Sequence, residues 1–363
     1  MYGNGMTGEH AFRKSSVLIP KTSFFHWIDS LRSEYRVFGP VKEKGQAVFK
    51  EIASAKDLFM EYPTTMLSPG KMFIYKPRED ILKFSRRSSR SEMKADLSIE
   101  EITPEVEKQM IVGIHPCDTN AILYLDKHFS RAFVDPYYKA RRDNTILIAL
   151  NCLQVQEDCF CSSVNAGPHL RAQSGYDMVL TDFGENYLVE IKSARISKMF
   201  TIKGKKAGPR EWRLKSGKEG SLIGDFKKSI DMEGLDELYL RNLDHPVWEN
   251  TANERCLSCS NCVMVCPTCF CYDVVDEIDM DLKGGKRFRQ VDACQDFRFA
   301  EVHGGNFRRI RASRLRQFQM HNLNYSSQYG ITKTVGCGRC ITWCPTRIDL
   351  TEVAKEIQRN PVR

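Results

Sequence analysis

No apolar run in the 363 residues approaches the roughly 18 that a membrane-spanning helix requires. The first twenty residues, MYGNGMTGEHAFRKSSVLIP, contain no apolar core of the kind a secretory leader carries. No glycine-rich dinucleotide fingerprint follows a predicted strand, and no phosphate-binding P-loop occurs; Gly304-Gly305 lies in a polar loop without the required spacing. No Ser/His/Asp or metal-hydrolase constellation stands out. The charge excess is small: 54 Lys and Arg against 46 Asp and Glu leave +8, too little for a nucleic-acid scaffold, and no stacked aromatic and basic motif of a known nucleic-acid reader is present. These absences predict a cytoplasmic chain that inserts into no membrane and binds no nucleic acid. They also argue against unaided nicotinamide or flavin binding, leaving open a flavin site shared with a partner. At about 150 residues per domain the length predicts roughly two domains.

Cysteine is unevenly withheld. None occurs in 1–116 or 162–255; four lie between 117 and 161, and ten between 256 and 344. Fourteen is many for a reduced cytosolic chain and sparse for a small disulfide scaffold, so thiols or metal ligands are expected.

The ten fall into two related motifs and three extra residues. Cys256-x2-Cys259-x2-Cys262-x3-Cys266-Pro267 is a full bacterial-ferredoxin run, in which three cysteines wrap one cubane and the fourth crosses to the other. Cys337-x2-Cys340-x3-Cys344-Pro345 repeats it without the leading cysteine, because position 334 is Thr. Crossed pairing gives a first cluster on Cys256, Cys259, Cys262 and Cys344. The second has Cys266, Cys337 and Cys340, and either a fourth ligand or a three-iron [3Fe-4S] core. Cys294, Cys269 and Cys271 are the candidates, and Cys294 is preferred because the other two follow so closely behind Cys266. Val263, Val265, Ile341 and Trp343 alternate with the ligands and suit water exclusion. Structural zinc fits poorly, given the extra cysteines and the two Cys-Pro endings. Cys262-x3-Cys266-x2-Cys269 has radical-SAM spacing, but it lies inside a ferredoxin run with little barrel-sized chain behind it.

The N-terminal part has an α/β rhythm. Strands are predicted at Met110–Ile114, Thr145–Leu150, Tyr176–Thr181 and Tyr187–Ile191, the last two joined by a turn at 182–186. Helices are expected at Ser23–Tyr35 and Phe49–Phe59 and after Asp118, which could cap its helix. Phe84–Lys94 and the basic stretch 202–220 read as exposed loop or linker. Beyond Asp225 the pattern turns helical: Leu235, Leu238, Leu240 and Leu243 form an apolar stripe, and Phe307–Leu323 and Asp349–Gln358 are further helix candidates. Arg308, Arg309, Arg311, Arg314 and Arg316 offset a cluster's charge, dock an acidic partner or make a solvated face, the last for at least half of them. Cys117 and Cys152 each end a strand, and Cys159 and Cys161 follow in the next loop, so four thiols can converge at one sheet edge. They are a third-cluster candidate, against the alternative of ordinary buried cysteines. His115 beside them suits a hydrogen-bonding turn residue.

The pattern resembles the iron–sulfur β subunit of cytoplasmic nickel–iron sulfhydrogenases and the related A subunit of anaerobic sulfite reductase. The likeness is carried by Gly113–Asp118, Asn151-Cys152, CFCSSVNAGP (Cys159–Pro168), YDMVLTD, YLVEI, CPTCFCYDV (Cys266–Val274), Asp292-Ala293-Cys294 and GCGRCITWCP (Gly336–Pro345), spanning about residues 100–350. The family usually has Arg where His115 stands, so the resemblance assigns that residue no role. A helical link between the two cluster motifs resembles the α-helical ferredoxin module. The expectation is an α+β domain over 1–225 and an α-helical ferredoxin-type dicluster domain over 226–363. The family implies a non-catalytic subunit relaying single electrons in a hetero-oligomer. On one side stands a flavin-containing, diaphorase-type subunit; on the other, a hydrogenase, sulfite reductase or heterodisulfide-reductase-type partner. A self-sufficient oxidoreductase with substrate at the N-terminal cysteines, and a zinc-bound scaffold, are the rivals.

Overall fold

The computed structural model describes residues 16–87, 96–324 and 326–362. Its centre is an eight-stranded sheet in the order β10-β1-β9-β8-β7-β6-β2-β3. The strands are β1 Ser16–Pro20, β2 Arg36–Glu43, β3 Gln46–Glu51, β6 Gln109–Ile114, β7 Thr145–Leu150, β8 Met178–Asp182, β9 Asn186–Ile191 and β10 Lys205–Lys206. The middle four, β2, β6, β7 and β8, run parallel, and the flanking ones are antiparallel. β7, TILIAL, is buried at every position, as a strand covered on both faces must be. One face packs Phe24, Trp27 and Ile28 from helix Lys21–Leu31; the other packs Ile122, Tyr124 and Leu125 from helix Pro116–Phe129.

The predicted strands 110–114, 145–150, 176–181 and 187–191 occur within two residues of their expected ends. Phe49–Phe59 is not a helix. Lys44 and Gly45, both at positive φ, close a two-residue hairpin that makes Gln46–Glu51 a strand. Phe84–Arg87 belongs to strand β4 (Arg78–Arg87) rather than a loop; 88–94 lie outside the described residues. The basic stretch 202–220 is no linker: Gly208 and Pro209 start a helix, Pro209–Gly224. Asp118 does not cap its helix; His115 occupies that place, with Pro116 at the first helical position.

The C-terminal part packs short helices, Leu235–Arg241, Pro246–Glu254, Arg311–Leu323 and Leu350–Arg359, around Tyr239, Trp248, Leu315, Ile341 and Ile357. Of the leucine stripe only Leu235 is fully buried. Leu240 and Leu243 are exposed, because the helix ends at Arg241 and Tyr239 takes the inward position. The segment between Cys266 and Cys337 is not uniformly helical. Strands β11 (Tyr272–Ile278) and β12 (Gly284–Val291) form a hairpin that adds to β4 and β5 (Asp96–Glu101), a sheet in the order β11-β12-β4-β5. β11 is exposed at every position but Val275, so no buried apolar face announces it in the sequence, and it is β12 that pairs with the distant β4. The whole is a mixed α/β architecture. Among the described residues no helix is long and apolar enough to cross a membrane.

Candidate metal centres

Three cavities lined by cysteine follow one another through the molecule. The first is lined by Cys256, Cys259, Cys262 and Cys344, with Cys340, Leu315 and Phe318. Ser258 and Ser260 stand in the left-handed region between its first three cysteines, which curls the loop round the cavity. Backbone amides point at its sulfurs: Ser258 N donates to Cys256 Sγ at 3.4 Å and Ile348 N to Cys344 Sγ at 3.3 Å. The Arg311 guanidinium donates to the Cys256 carbonyl. Buried Arg314 donates to Gln295 O, Arg308 O, Arg309 O and Ser258 Oγ, so these two arginines brace the loop. Val263, Val265 and Ile341 are buried beside the ligands.

The second cavity is lined by Cys266, Cys337 and Cys340, with Thr334, Asn322 and Phe160. Thr334 therefore borders the place that a leading cysteine would serve. Cys294, the preferred fourth ligand, does not line it. It faces Cys271, because Asp292 N bonds Cys271 O and draws the two residues together at the end of the hairpin. Cys269 is in contact with Cys266.

The third cavity brings together Cys117, Cys152, Cys159 and Cys161, with His115, Pro168 and Cys337. β6 and β7 are parallel neighbours, so their ends deliver Cys117 and Cys152 side by side. His115 is buried and stacked on Tyr62 with centroids 4.0 Å apart; burial holds its pKa down to about 4.

The cavities adjoin. Cys340 lines the first and second, and Cys337 the second and third. Two glycines make the second junction. Gly336 and Gly338 stand at φ +61° and +72°, and a Cβ on either would come within 2.5 Å of backbone atoms of Cys161 or Asp158. Phe160 N donates to Gly336 O at 2.8 Å. Beside them Arg339 forms a bidentate pair with Asp118, at 2.9 and 2.8 Å, both side chains wholly buried. Asp118 is thus a clamp between the two halves. Gly-Cys-Gly-Arg is the signal that could have revealed it, since two glycines flanking a cysteine mark close backbone approach.

Burial pushes the thiols of Cys262, Cys337, Cys340, Cys117, Cys152 and Cys161 up, and that of Cys159 up to about 11. Such thiols ionise only against a neighbouring positive centre, so a metal bound here would release protons. The donor sets suit soft metals. Around one zinc ion four sulfurs would close to about 3.8 Å of one another. Among the described residues no group of three or more Cys, His, Asp or Glu gathers on a single-ion point. The thiols line the three cavities described above. All fourteen cysteines are free of disulfides.

A family profile described as a 4Fe-4S dicluster domain matches residues 255–348, which contain the first two cavities' cysteines. The chain is 32% identical to the β subunit of sulfhydrogenase 2 from Pyrococcus furiosus, over 93% of its own length and 96% of that protein's. No solved structure matches it. With two thiolate sets inside the matched segment and similarity over nearly the full length of both proteins, the chain belongs to the family of iron–sulfur β subunits of sulfhydrogenases.

Proposed function

We propose that this chain is the electron-transfer subunit of an anaerobic oxidoreductase complex. It would pass single electrons between a flavin-containing, diaphorase-type subunit and a catalytic redox subunit of hydrogenase, sulfite reductase or heterodisulfide-reductase type. The observation that supports this most is the sequence of adjoining cysteine cavities, joined by Cys340 and then Cys337. Iron–sulfur clusters held in such sets supply one-electron transfer with little change of geometry. Cys256, Cys259, Cys262 and Cys344 would hold the first. Cys266, Cys337 and Cys340 would hold the second, as a [3Fe-4S] core or with Thr334 beside an open corner. Cys117, Cys152, Cys159 and Cys161 would hold a third.

The protein's own contribution is placement. Gly336 and Gly338 let the loop of Cys337 lie against the loop of Cys159 and Cys161, and Arg339–Asp118 locks the halves together without leaving net charge. The division proposed is an α+β unit over 1–225 and a ferredoxin-type dicluster unit over 226–363. The free thiols suit a reducing compartment, and the cytoplasm is the proposed location.

The test is iron and acid-labile sulfide on anaerobically purified protein. About twelve of each per chain are expected for three cubanes, about eleven iron if the second is three-iron, and about eight for two cubanes. The double replacement of Cys159 and Cys161 by Ala should remove about four iron and leave the remaining spectrum intact. Unchanged iron in that variant would eliminate the third centre; protein without iron or sulfide after reconstitution would eliminate the relay. Subunits that co-purify with the chain identify donor and acceptor.

A further inference from the structure

Two lysines are buried among the C-terminal thiols. Lys333 is 2% exposed; its Nζ lies 3.6 Å from Cys269 Sγ and 3.1 Å from His321 Nδ1, and 5.3 Å from the centre of the Phe270 ring. Lys71 reaches in from the N-terminal half, and its Nζ donates to Val263 O and Met264 O, beside Cys262. Among the described residues no ion pair joins either lysine to a carboxylate, whereas buried Arg339 is neutralised by Asp118. The acidic groups facing Lys333 are the thiols of Cys269, Cys266, Cys271 and Cys294; Lys71 faces the first three. An ammonium taken out of water needs negative charge nearby, and sulfur is what surrounds this one.

We propose that Lys333, seconded by Lys71, holds the centre bound through Cys266 at a higher reduction potential than the same thiolates would give alone. The inference rests on Cys266, Cys337 and Cys340 being cluster ligands. Reduction adds one electron and one negative charge to a thiolate-bound core; a fixed positive charge in a dry site favours the more negative state. The electron arrives from a neighbouring centre and leaves to the next, and no bond forms or breaks. Lys333 lines none of the three cavities, so it acts through charge and not as a ligand.

The experiment is a dye-mediated potentiometric titration of the anaerobic full-length chain, followed by electron paramagnetic resonance, with iron and sulfide measured in parallel. Lys333→Met removes the charge and keeps most of the length; Lys333→Arg keeps the charge. In Lys333→Met one signal should lose electrons on the order of tenfold at fixed potential, about 59 mV for one electron. The other signals and the iron content should stay, and Lys333→Arg should restore the native midpoint. Full iron with every midpoint unmoved overturns the role of Lys333, as does an equal shift of all signals. A native chain lacking iron and sulfide overturns the cluster assignment itself. Should Lys333→Met lose iron, Lys71→Met carries the same test: a fall confined to that same signal supports the proposal, and no fall overturns it.

Discussion

Replacing Gly336 by alanine addresses the contact between the two halves directly. A Cβ there would lie 2.5 Å from both Cα and N of Cys161 and 2.7 Å from the Phe160 carbonyl carbon, all backbone atoms with no rotamer to yield. Normal contact requires roughly 1 Å of separation between the two loops. The φ of +61° adds the strain of a left-handed L-residue, about 1–2 kcal/mol. Overpacking against rigid backbone adds about 1–3 kcal/mol, so a loss of roughly 2–5 kcal/mol is expected. Gly184, in the β8–β9 turn at φ +85° with nothing within 4 Å of its added Cβ, is the control that carries only the first cost. The assay is urea unfolding of the anaerobic chain, with iron and sulfide counted before denaturation. Gly336→Ala should lower stability more than Gly184→Ala and deplete iron from the second and third centres together, sparing the first, because only those two share Cys337. Equal behaviour of the two variants, or loss confined to the first centre, would refute the contact.

Further outcomes follow from the same geometry. Arg339→Met leaves Asp118 buried and unpaired, and should cost about 3–5 kcal/mol in urea unfolding; adding Asp118→Leu should recover much of that, and a double variant no better than the single would contradict the clamp. Thr334→Cys should place a fourth thiol on the second cavity and raise iron by about one atom per chain if the native core is three-iron; unchanged iron and spectra would show that the native core is already complete. His128 and His169 are held down to about 4 and His321 to about 3, each chiefly by burial. The unfolded chain protonates them below about pH 6.5, so stability is intact above that value and falls as pH drops toward 4, by about 1.4 kcal/mol per pH unit for each histidine. A urea midpoint that holds or rises from pH 7 to 5 would contradict this.

That Cys256, Cys259, Cys262 and Cys344 border one cavity was legible because that information is local. Two-residue gaps curl one short loop, and the crossing cysteine follows from the repeat of the same spacing at 337–344. The strands ending at Ile114 and Leu150 were legible for a similar reason: unbroken apolar runs of five or six residues bounded by His-Pro and Asn-Cys allow little else. Their parallel pairing then carried Cys117 and Cys152 together, as the α/β pattern implied. Residues 49–59 and 202–220 misled because their composition suits several local structures. A two-residue turn at Lys44-Gly45 decided the first, and a Gly-Pro helix start decided the second.

The sequence by itself determined which thiols can act together wherever spacing along the chain dictates spacing in space. Only the tertiary structure decided where Cys294 points, that Cys337 stands between two cavities, that Asp118 answers Arg339, and that buried Lys333 meets Cys269 and His321. Each depends on segments up to more than two hundred residues apart, brought together by packing of whole elements, and no periodicity within either segment records the other.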